Sequence, residues 1–131
     1  MRERLIAEAL KARNNAYCPY SGFAVGAALL TEDDSLYTGC NIENASYGVT
    51  NCAERTAIFK AVSEGHRQIK AIAIVGGPQE KEPDIYAYPC GACRQVMWEF
   101  GEKDMPVFVA KSIEEYEEYT LEELLPHGFE K

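Results

Sequence analysis

Residues 69–76 read Ile-Lys-Ala-Ile-Ala-Ile-Val-Gly, and this apolar segment decides the fold. It predicts the central strand of a sheet, because an apolar run of this length bounded by polar segments is typical of a buried strand. A helix is predicted from near Cys90 to Gly101, and another apolar strand from Met105 to Ala110. Strand, helix and strand in succession indicate two parallel strands joined by a right-handed crossover.

The segments on either side of this unit predict the remaining elements. Two strands separated by a short acidic turn indicate an antiparallel hairpin near the N-terminus. Thr120 and Glu123 match a capping box, which opens a short helix that ends by Pro126. The other predicted elements are a helix over 3–15, strands over 23–31 and 36–40, a polar loop over 41–51, a helix over about 52–64 and a strand near 114–119.

These elements predict an α/β fold. We expect a three-layer α/β/α arrangement whose mixed five-stranded sheet contains the N-terminal antiparallel hairpin and parallel strands, with helices on both faces. The length suits one domain, and the sequence shows no repeat or low-complexity tract, so residues 1–131 are predicted to form a single catalytic domain.

The charge balance narrows the classes of partner. With 13 basic and 21 acidic residues the net charge is −8, which disfavours binding to nucleic acid or to an anionic membrane. No apolar stretch approaches the ~20 residues of a membrane span, and the charged N-terminus lacks a signal-peptide core. Five cysteines cannot all pair within one chain. We therefore expect a cytoplasmic protein with a small neutral substrate, whose clustered thiols bind metal or act as nucleophiles.

Two short motifs carry the chemistry: Cys52-Ala-Glu54 and Pro89-Cys-Gly-Ala-Cys93. Each lies where a predicted helix begins, and the free N–H groups there favour the thiolate that binds metal. Cys90 and Cys93 share one helix face, so with Cys52 they provide three zinc ligands. Structural zinc normally has a fourth protein ligand, whereas catalytic zinc keeps that position for water.

Glu54 is the predicted proton carrier, because its side chain projects from the same helix end as Cys52. Three thiolates exceed the charge of one Zn²⁺ ion, so a nearby cation is expected. Of Arg55 and Arg94, which follow the two motifs, Arg55 is the better candidate to donate a hydrogen bond to a cysteine sulfur.

Taken singly, these residues have ordinary structural explanations. A lone Cys-x-x-Cys pair is a weak signal, and Glu54 and Arg55 suit a solvated helix face. Cys18 and Cys40 are best explained as small apolar residues, and His66 and His127 as exposed residues beside turns. The joint pattern, Cys-x-Glu followed about 35 residues later by Pro-Cys-x-x-Cys, is much more specific, since it is the three-cysteine form of the zinc deaminase signature.

Over nearly its whole length the chain resembles the small zinc-dependent cytidine deaminases. The polar loop from Asn41 to Gly48 points to the branch that acts on nucleosides. The segments that carry the resemblance are 20–28, 39–48, 52–55, 89–95 and 124–126.

The resemblance implies hydrolysis of cytidine and 2′-deoxycytidine to uridine and 2′-deoxyuridine with release of ammonia, as in pyrimidine salvage. It implies that Asn41 and Glu43 bind the ribose hydroxyls and that Phe23 forms a wall of the base pocket. Members of this group are homotetramers, so it also implies that Ala45, Tyr47 and Phe129 reach substrate across subunit boundaries, Phe129 from the C-terminal tail.

Three alternatives stay open at the level of sequence. Another deaminase, such as one acting on blasticidin S, has a similar zinc motif. A polynucleotide editor would need a basic groove, which the net charge of −8 disfavours. A zinc-stabilised scaffold without catalysis would have no use for Glu54.

Overall fold

The elements of the computed structural model, which describes residues 1–130, follow the predicted order. Their bounds are α1 Arg2–Arg13, β1 Phe23–Thr31, β2 Leu36–Cys40, a 3₁₀ turn Tyr47–Val49, α2 Ala53–Ser63, β3 Ile69–Pro78, α3 Gly91–Phe100, β4 Pro106–Ala110, β5 Tyr116–Thr120 and α4 Leu121–Leu124.

The five strands form one mixed sheet in the order β2-β1-β3-β4-β5. β1 is antiparallel to both β2 and β3, so the hairpin lies at one edge of the sheet. β3 and β4 are parallel across the helix α3, and β5 returns antiparallel to β4. The predicted mixed sheet with its antiparallel hairpin is confirmed, and β3–α3–β4 is its parallel unit.

Both faces of the sheet are covered, which explains why β3 is apolar at nearly every position. Ile72 and Ile74 pack toward α2 and α3, whereas Ala71 and Ala73 pack toward α1. Alternate residues of a strand point to opposite faces, so the bulky and the small residues of β3 separate into two layers. The three-layer arrangement follows from this alternation.

Predicted and observed element boundaries differ by one or two residues in several places, including the end of β3 at Pro78 rather than residue 76. Two of these differences have an evident structural cause. α1 ends at Arg13 rather than residue 15, where the Arg13 guanidinium turns to the sheet and donates hydrogen bonds to the carbonyls of Ala24 and Gly77, both at 3.0 Å. β5 begins at Tyr116 rather than 114, because a turn closed by the Lys111 N–H and the Glu115 carbonyl, 2.8 Å apart, occupies the preceding residues.

Gly39 allows α2 to pack closely against the sheet. A Cβ atom at this position of β2 would lie 2.6 Å from both the Ala53 carbonyl oxygen and the Ala57 nitrogen, which are backbone atoms of α2. The missing side chain lets the first turns of α2 lie directly on β2. The position of the N-terminus of α2 therefore depends on this glycine.

We predict that Gly39→Ala destabilises the protein by about 1–3 kcal/mol, the usual cost of overpacking, because α2 must move away from β2. Gly48→Ala is the control, since a Cβ at Gly48 has no neighbouring atom within 4 Å. Urea denaturation of both variants measures the difference in the free energy of unfolding. Equal stabilities would show that α2 does not depend on close contact at residue 39.

Candidate active site

Three cysteine sulfurs meet where α2 and α3 begin. Cys52 is the N-cap of α2, Cys90 is the N-cap of α3, and Cys93 lies buried in the first turn of α3. The three Sγ atoms all lie within 4.8 Å of one another, and those of Cys52 and Cys90 are 3.8 Å apart. The Cys93 N–H also donates to the Cys90 sulfur at 3.5 Å, which fixes the turn between them.

This sulfur cluster fits a zinc ion. Two sulfurs bound tetrahedrally at about 2.3 Å from zinc lie about 3.8 Å apart, which is the separation of Cys52 and Cys90. Thiolate ligands favour zinc over hard cations such as Mg²⁺. Three protein ligands leave one coordination position for a small molecule, as in catalytic rather than structural sites.

Arg55 supplies positive charge to the cluster. Its Nη2 atom donates to the Cys52 sulfur at 3.2 Å. A hydrogen bond from Cys93 and the guanidinium of Arg55 together lower the pKa of Cys52 to about 5, even though burial acts in the opposite direction. Cys52 is thus prepared to hold thiolate charge at neutral pH, whereas the hydrogen bond to Cys52 and burial raise the pKa of Cys93.

Glu54 lies beside the sulfurs and is almost completely enclosed. Only 4% of its surface is exposed, and burial raises the pKa of its carboxyl group to about 7. It belongs to the first turn of α2, and it lines the same cavity as Cys52 and Cys90. A carboxyl group so placed can exchange protons with a molecule held at the metal position.

A cavity of about 330 Å³ opens directly onto this cluster. Phe23 and Asn41, both predicted to contact substrate, line it together with Glu54. Cys52 and Cys90 line it as well. The remaining lining residues, which were not predicted as site residues, are Val25, Thr50, Asn51, Ala53, Ala87 and Tyr88.

Asn41 stabilises the wall of this cavity through two hydrogen bonds. Its Oδ1 atom accepts a hydrogen bond from the Val25 N–H at 2.9 Å, and its Nδ2 atom donates to the Phe23 carbonyl at 2.8 Å. Both bonds reach the first residues of β1. Asn41 therefore fixes the backbone that carries Phe23 as well as facing the cavity.

Glu43 lies in a neighbouring cavity, which shares Thr50 with the first. Its carboxylate accepts hydrogen bonds from the backbone N–H groups of Tyr20 and Ser21, at 2.9 and 3.1 Å, and from the Ser21 hydroxyl. The Ser21 hydroxyl contributes most to lowering the pKa of Glu43. The carboxylate is consequently charged and held in one orientation beside the metal-site cavity.

The remaining predicted residues face outward within the single chain. Ala45 and Tyr47 line the cavity of Glu43, with Tyr47 87% exposed. Phe129 is 83% exposed. Its backbone N–H and carbonyl both bond to the Gln95 side chain, at 3.1 and 3.3 Å. The tail is thus anchored to α3, while the ring of Phe129 projects from the surface.

The unpredicted residues had weak sequence signals. Ala87 and Tyr88 directly precede the Pro89-Cys90 motif, so proximity to a ligand was the only available clue. A Cβ atom at Gly76 would lie 2.8 Å from Ala87 and 3.2 Å from Phe23, which places Ala87 beside Phe23 and against β3. Contacts between residues so distant in sequence become visible only once the sheet is assembled.

Comparison with known proteins identifies the class to which this site belongs. A family model described as the cytidine and deoxycytidylate deaminase zinc-binding region matches residues 1–109. A cytidine deaminase from Sporosarcina psychrophila is 54% identical over 129 residues, covering 98% of this chain and 91% of that protein. One from Halalkalibacterium halodurans is 54% identical over 128 residues, covering 98% and 93%.

The fold agrees with the same class. The crystal structure of a cytidine deaminase from Burkholderia pseudomallei superposes with a TM-score of 0.88 at 45% identity, covering 98% of this chain and 99% of that one. The chain therefore belongs to the cytidine and deoxycytidylate deaminase family. The predicted cofactor, one zinc ion per chain, is confirmed by the zinc-binding region of the family together with the three-sulfur cluster.

Among residues 1–130, no helix is both long enough and apolar enough to cross a bilayer.

We predict that the purified protein contains about one zinc ion per chain and that Cys90→Ala reduces this to near zero, because two thiolates cannot hold zinc tightly at an open site. Cys40→Ala is the matched control, since Cys40 lies outside the cluster. Elemental analysis after dialysis measures the zinc content. Full zinc occupancy in Cys90→Ala would show that the cluster is not the metal site.

Proposed function

We propose that this protein is a cytidine deaminase that hydrolyses cytidine and 2′-deoxycytidine to uridine and 2′-deoxyuridine within a single catalytic domain, in pyrimidine salvage. The observation that carries the proposal is the position of Glu54, a buried carboxyl group that lines one cavity with Cys52 and Cys90. A purely structural zinc site has no need of an acid at that position.

Zinc bound by the three thiolates would act as a Lewis acid that lowers the pKa of a water molecule. Glu54 takes a proton from this water and delivers it to N3 of the base, so that oxygen can add to C4. Glu54 then takes the remaining proton of the added oxygen and delivers it to the exocyclic amine. The C4–N bond breaks and ammonia leaves, so that one water and one cytidine give one uridine and one ammonia.

The sugar end of the substrate is assigned to Asn41 and Glu43. Each retains hydrogen-bonding capacity beyond the intramolecular bonds that orient it, since an amide nitrogen has two protons and a carboxylate about four lone-pair sites. The fixed negative charge of Glu43 favours neutral ribose hydroxyls and repels a 5′-phosphate. A nucleoside therefore suits this cavity better than a nucleotide or a nucleic acid.

We also propose a cytoplasmic homotetramer whose active sites are shared between subunits. Tyr47 and Tyr20, 87% and 64% exposed, line the cavity of Glu43, and Val49, 64% exposed, follows Tyr47 by two residues. Exposed apolar side chains beside a binding cavity are typical of surfaces that associate. A reducing compartment suits an active site that depends on free thiols.

We predict that the purified zinc protein releases ammonia from cytidine, and that Glu54→Gln keeps its zinc but loses a factor of about 10²–10⁴ in kcat, because glutamine cannot carry a proton. Glu118→Gln, an exposed substitution on β5, is the control. Loss of cytidine absorbance together with ammonia release measures both rates.

The same assay separates the alternatives. Turnover of blasticidin S without turnover of cytidine would assign the protein to a different deaminase activity. Turnover of single-stranded DNA would indicate a polynucleotide editor. A zinc-loaded protein with no activity on any of the three would support a scaffold, and near-normal turnover by Glu54→Gln would refute the assigned role of that residue.

We predict that Phe129→Ala raises the KM for cytidine while leaving zinc content and assembly unchanged. Burial of one aromatic ring contributes roughly 1.5–3 kcal/mol, enough for substrate affinity but too little to hold a tetramer. Gln95→Leu should raise KM in the same direction, because it removes both bonds to the Phe129 backbone. Light scattering and steady-state kinetics measure the two properties. A fully active monomer would contradict shared sites, and unchanged kinetics in Phe129→Ala would contradict only the role of the tail.

A further inference from the structure

Tyr88 is a cavity residue whose side chain the proposed mechanism leaves without a role. It precedes the ligand Cys90 by two positions and lines the same cavity as Cys52, Cys90 and Glu54. About half of its surface is exposed, at 49%, so it stands between the cavity and solvent. An exposed tyrosine would ordinarily sample several rotamers, which would make it a poor wall.

Glu117 on β5 holds this side chain in place. The Tyr88 hydroxyl donates to the Oε1 atom of Glu117 at 2.5 Å, and the Tyr119 hydroxyl donates to the same oxygen at 2.8 Å. Hydrogen bonds from phenols to a carboxylate are among the stronger ones in proteins. The ring of Tyr88 also packs edge-on against that of Tyr119, with the centroids 6.2 Å apart.

The backbone of the same segment is fixed independently. Pro89 is buried, and its carbonyl accepts a hydrogen bond from Nε of Arg94 at 2.7 Å. A second bond from Arg94 to the Leu124 carbonyl, at 2.8 Å, ties the arginine to α4. Tyr88 is thus held at both ends, by Arg94 through the next residue and by Glu117 through its hydroxyl.

The position of Tyr88 along the cavity decides which part of a substrate it meets. The reacting C4 atom must lie at the three sulfurs, and the amine is attached to that atom. The sugar end lies toward Glu43, in the neighbouring cavity. Glu54 comes from α2, whereas Tyr88 comes from the segment that enters α3 beside Cys90. The part of the base nearest to Tyr88 is therefore the end that carries the amine.

We propose that Tyr88, positioned by Glu117, is a specificity-determining residue that excludes substrates with a substituent on the exocyclic amine. This inference rests on the proposed deaminase function. The unsubstituted amine fits between the metal site and the ring, whereas an N4-methyl group meets a wall that cannot turn away. Glu117 acts through Tyr88 and is a positioning residue.

The test compares cytidine with N4-methylcytidine. Hydrolysis gives uridine from both, with ammonia leaving in one case and methylamine in the other, so a single chromatographic assay of uridine measures both reactions. The quantity of interest is the ratio of kcat/KM for cytidine to that for N4-methylcytidine. Zinc content is measured in every variant, because residue 88 is close to a ligand.

We expect Tyr88→Ala to lower this ratio at least about 10-fold, the lower end of the discrimination that one methyl group produces in a packed pocket. Tyr88→Phe and Glu117→Ala should each lower it by a smaller factor, because the ring remains but is no longer held. The double variant should not go beyond the larger single effect, since both changes break one interaction. Glu118→Gln, an exposed change on the same strand, is the control and should leave the ratio unchanged.

The outcomes separate this inference from the function on which it rests. If the zinc-loaded wild-type protein does not deaminate cytidine, the proposed function is wrong and the role of Tyr88 falls with it. If cytidine is deaminated and Tyr88→Ala leaves the ratio unchanged, the inference alone is wrong. Additive effects of Tyr88→Phe and Glu117→Ala would show that Glu117 does not act through Tyr88.

Discussion

The structure depends on the meeting of two helix N-termini at one point. Three sulfurs come within 4.8 Å of one another only because α2 and α3 begin side by side. Each helix is fixed by the core behind it: α2 lies against β2 at Gly39, and the buried side chains of Cys93 and Met97 hold α3. The N–H groups at both helix ends and the Arg55 guanidinium offset the charge that three thiolates bring together.

Charge also explains why the carboxyl group beside the sulfurs is so deeply enclosed. An exposed carboxylate stays ionised at neutral pH and binds protons poorly, and the negative charge of Cys52 raises the pKa of Glu54 only as a smaller addition to the effect of burial. Enclosure of Glu54 disfavours its charged form and brings its pKa to about 7, where a proton can be both accepted and released. The net charge of −8 therefore does not describe the site, whose local balance is set by Arg55 and by burial.

The sequence predicted the parts of the molecule that follow local rules. The continuous apolar run of residues 69–76 predicted β3. The two cysteine motifs were predicted to lie where helices begin, and they lie at the starts of α2 and α3. The ends of α1 and β5 were less accurate, because the bonds from Arg13 to β1 and β3, and the turn from Lys111 to Glu115, are properties of the folded chain. The presence of Ala87 and Tyr88 in the cavity could not be predicted for the same reason, because β3 and β5 bring distant residues to them only in the folded chain.

The metal end and the proposed sugar end of the candidate site are carried by different kinds of structure, and we expect substitutions at the two ends to have different effects. The metal end is carried by helices seated on the sheet, so its atoms are fixed to the accuracy that proton transfer requires. The proposed sugar end is carried by the loop after β2, where Glu43 and Asn41 are oriented by hydrogen bonds to the segment from Tyr20 to Val25. Because these bonds join that loop to the segment that leads into β1, changes there are expected to alter how a substrate is held. Changes at the metal end are expected to alter the bond-breaking step itself, since Glu54, the proposed proton carrier, is located there.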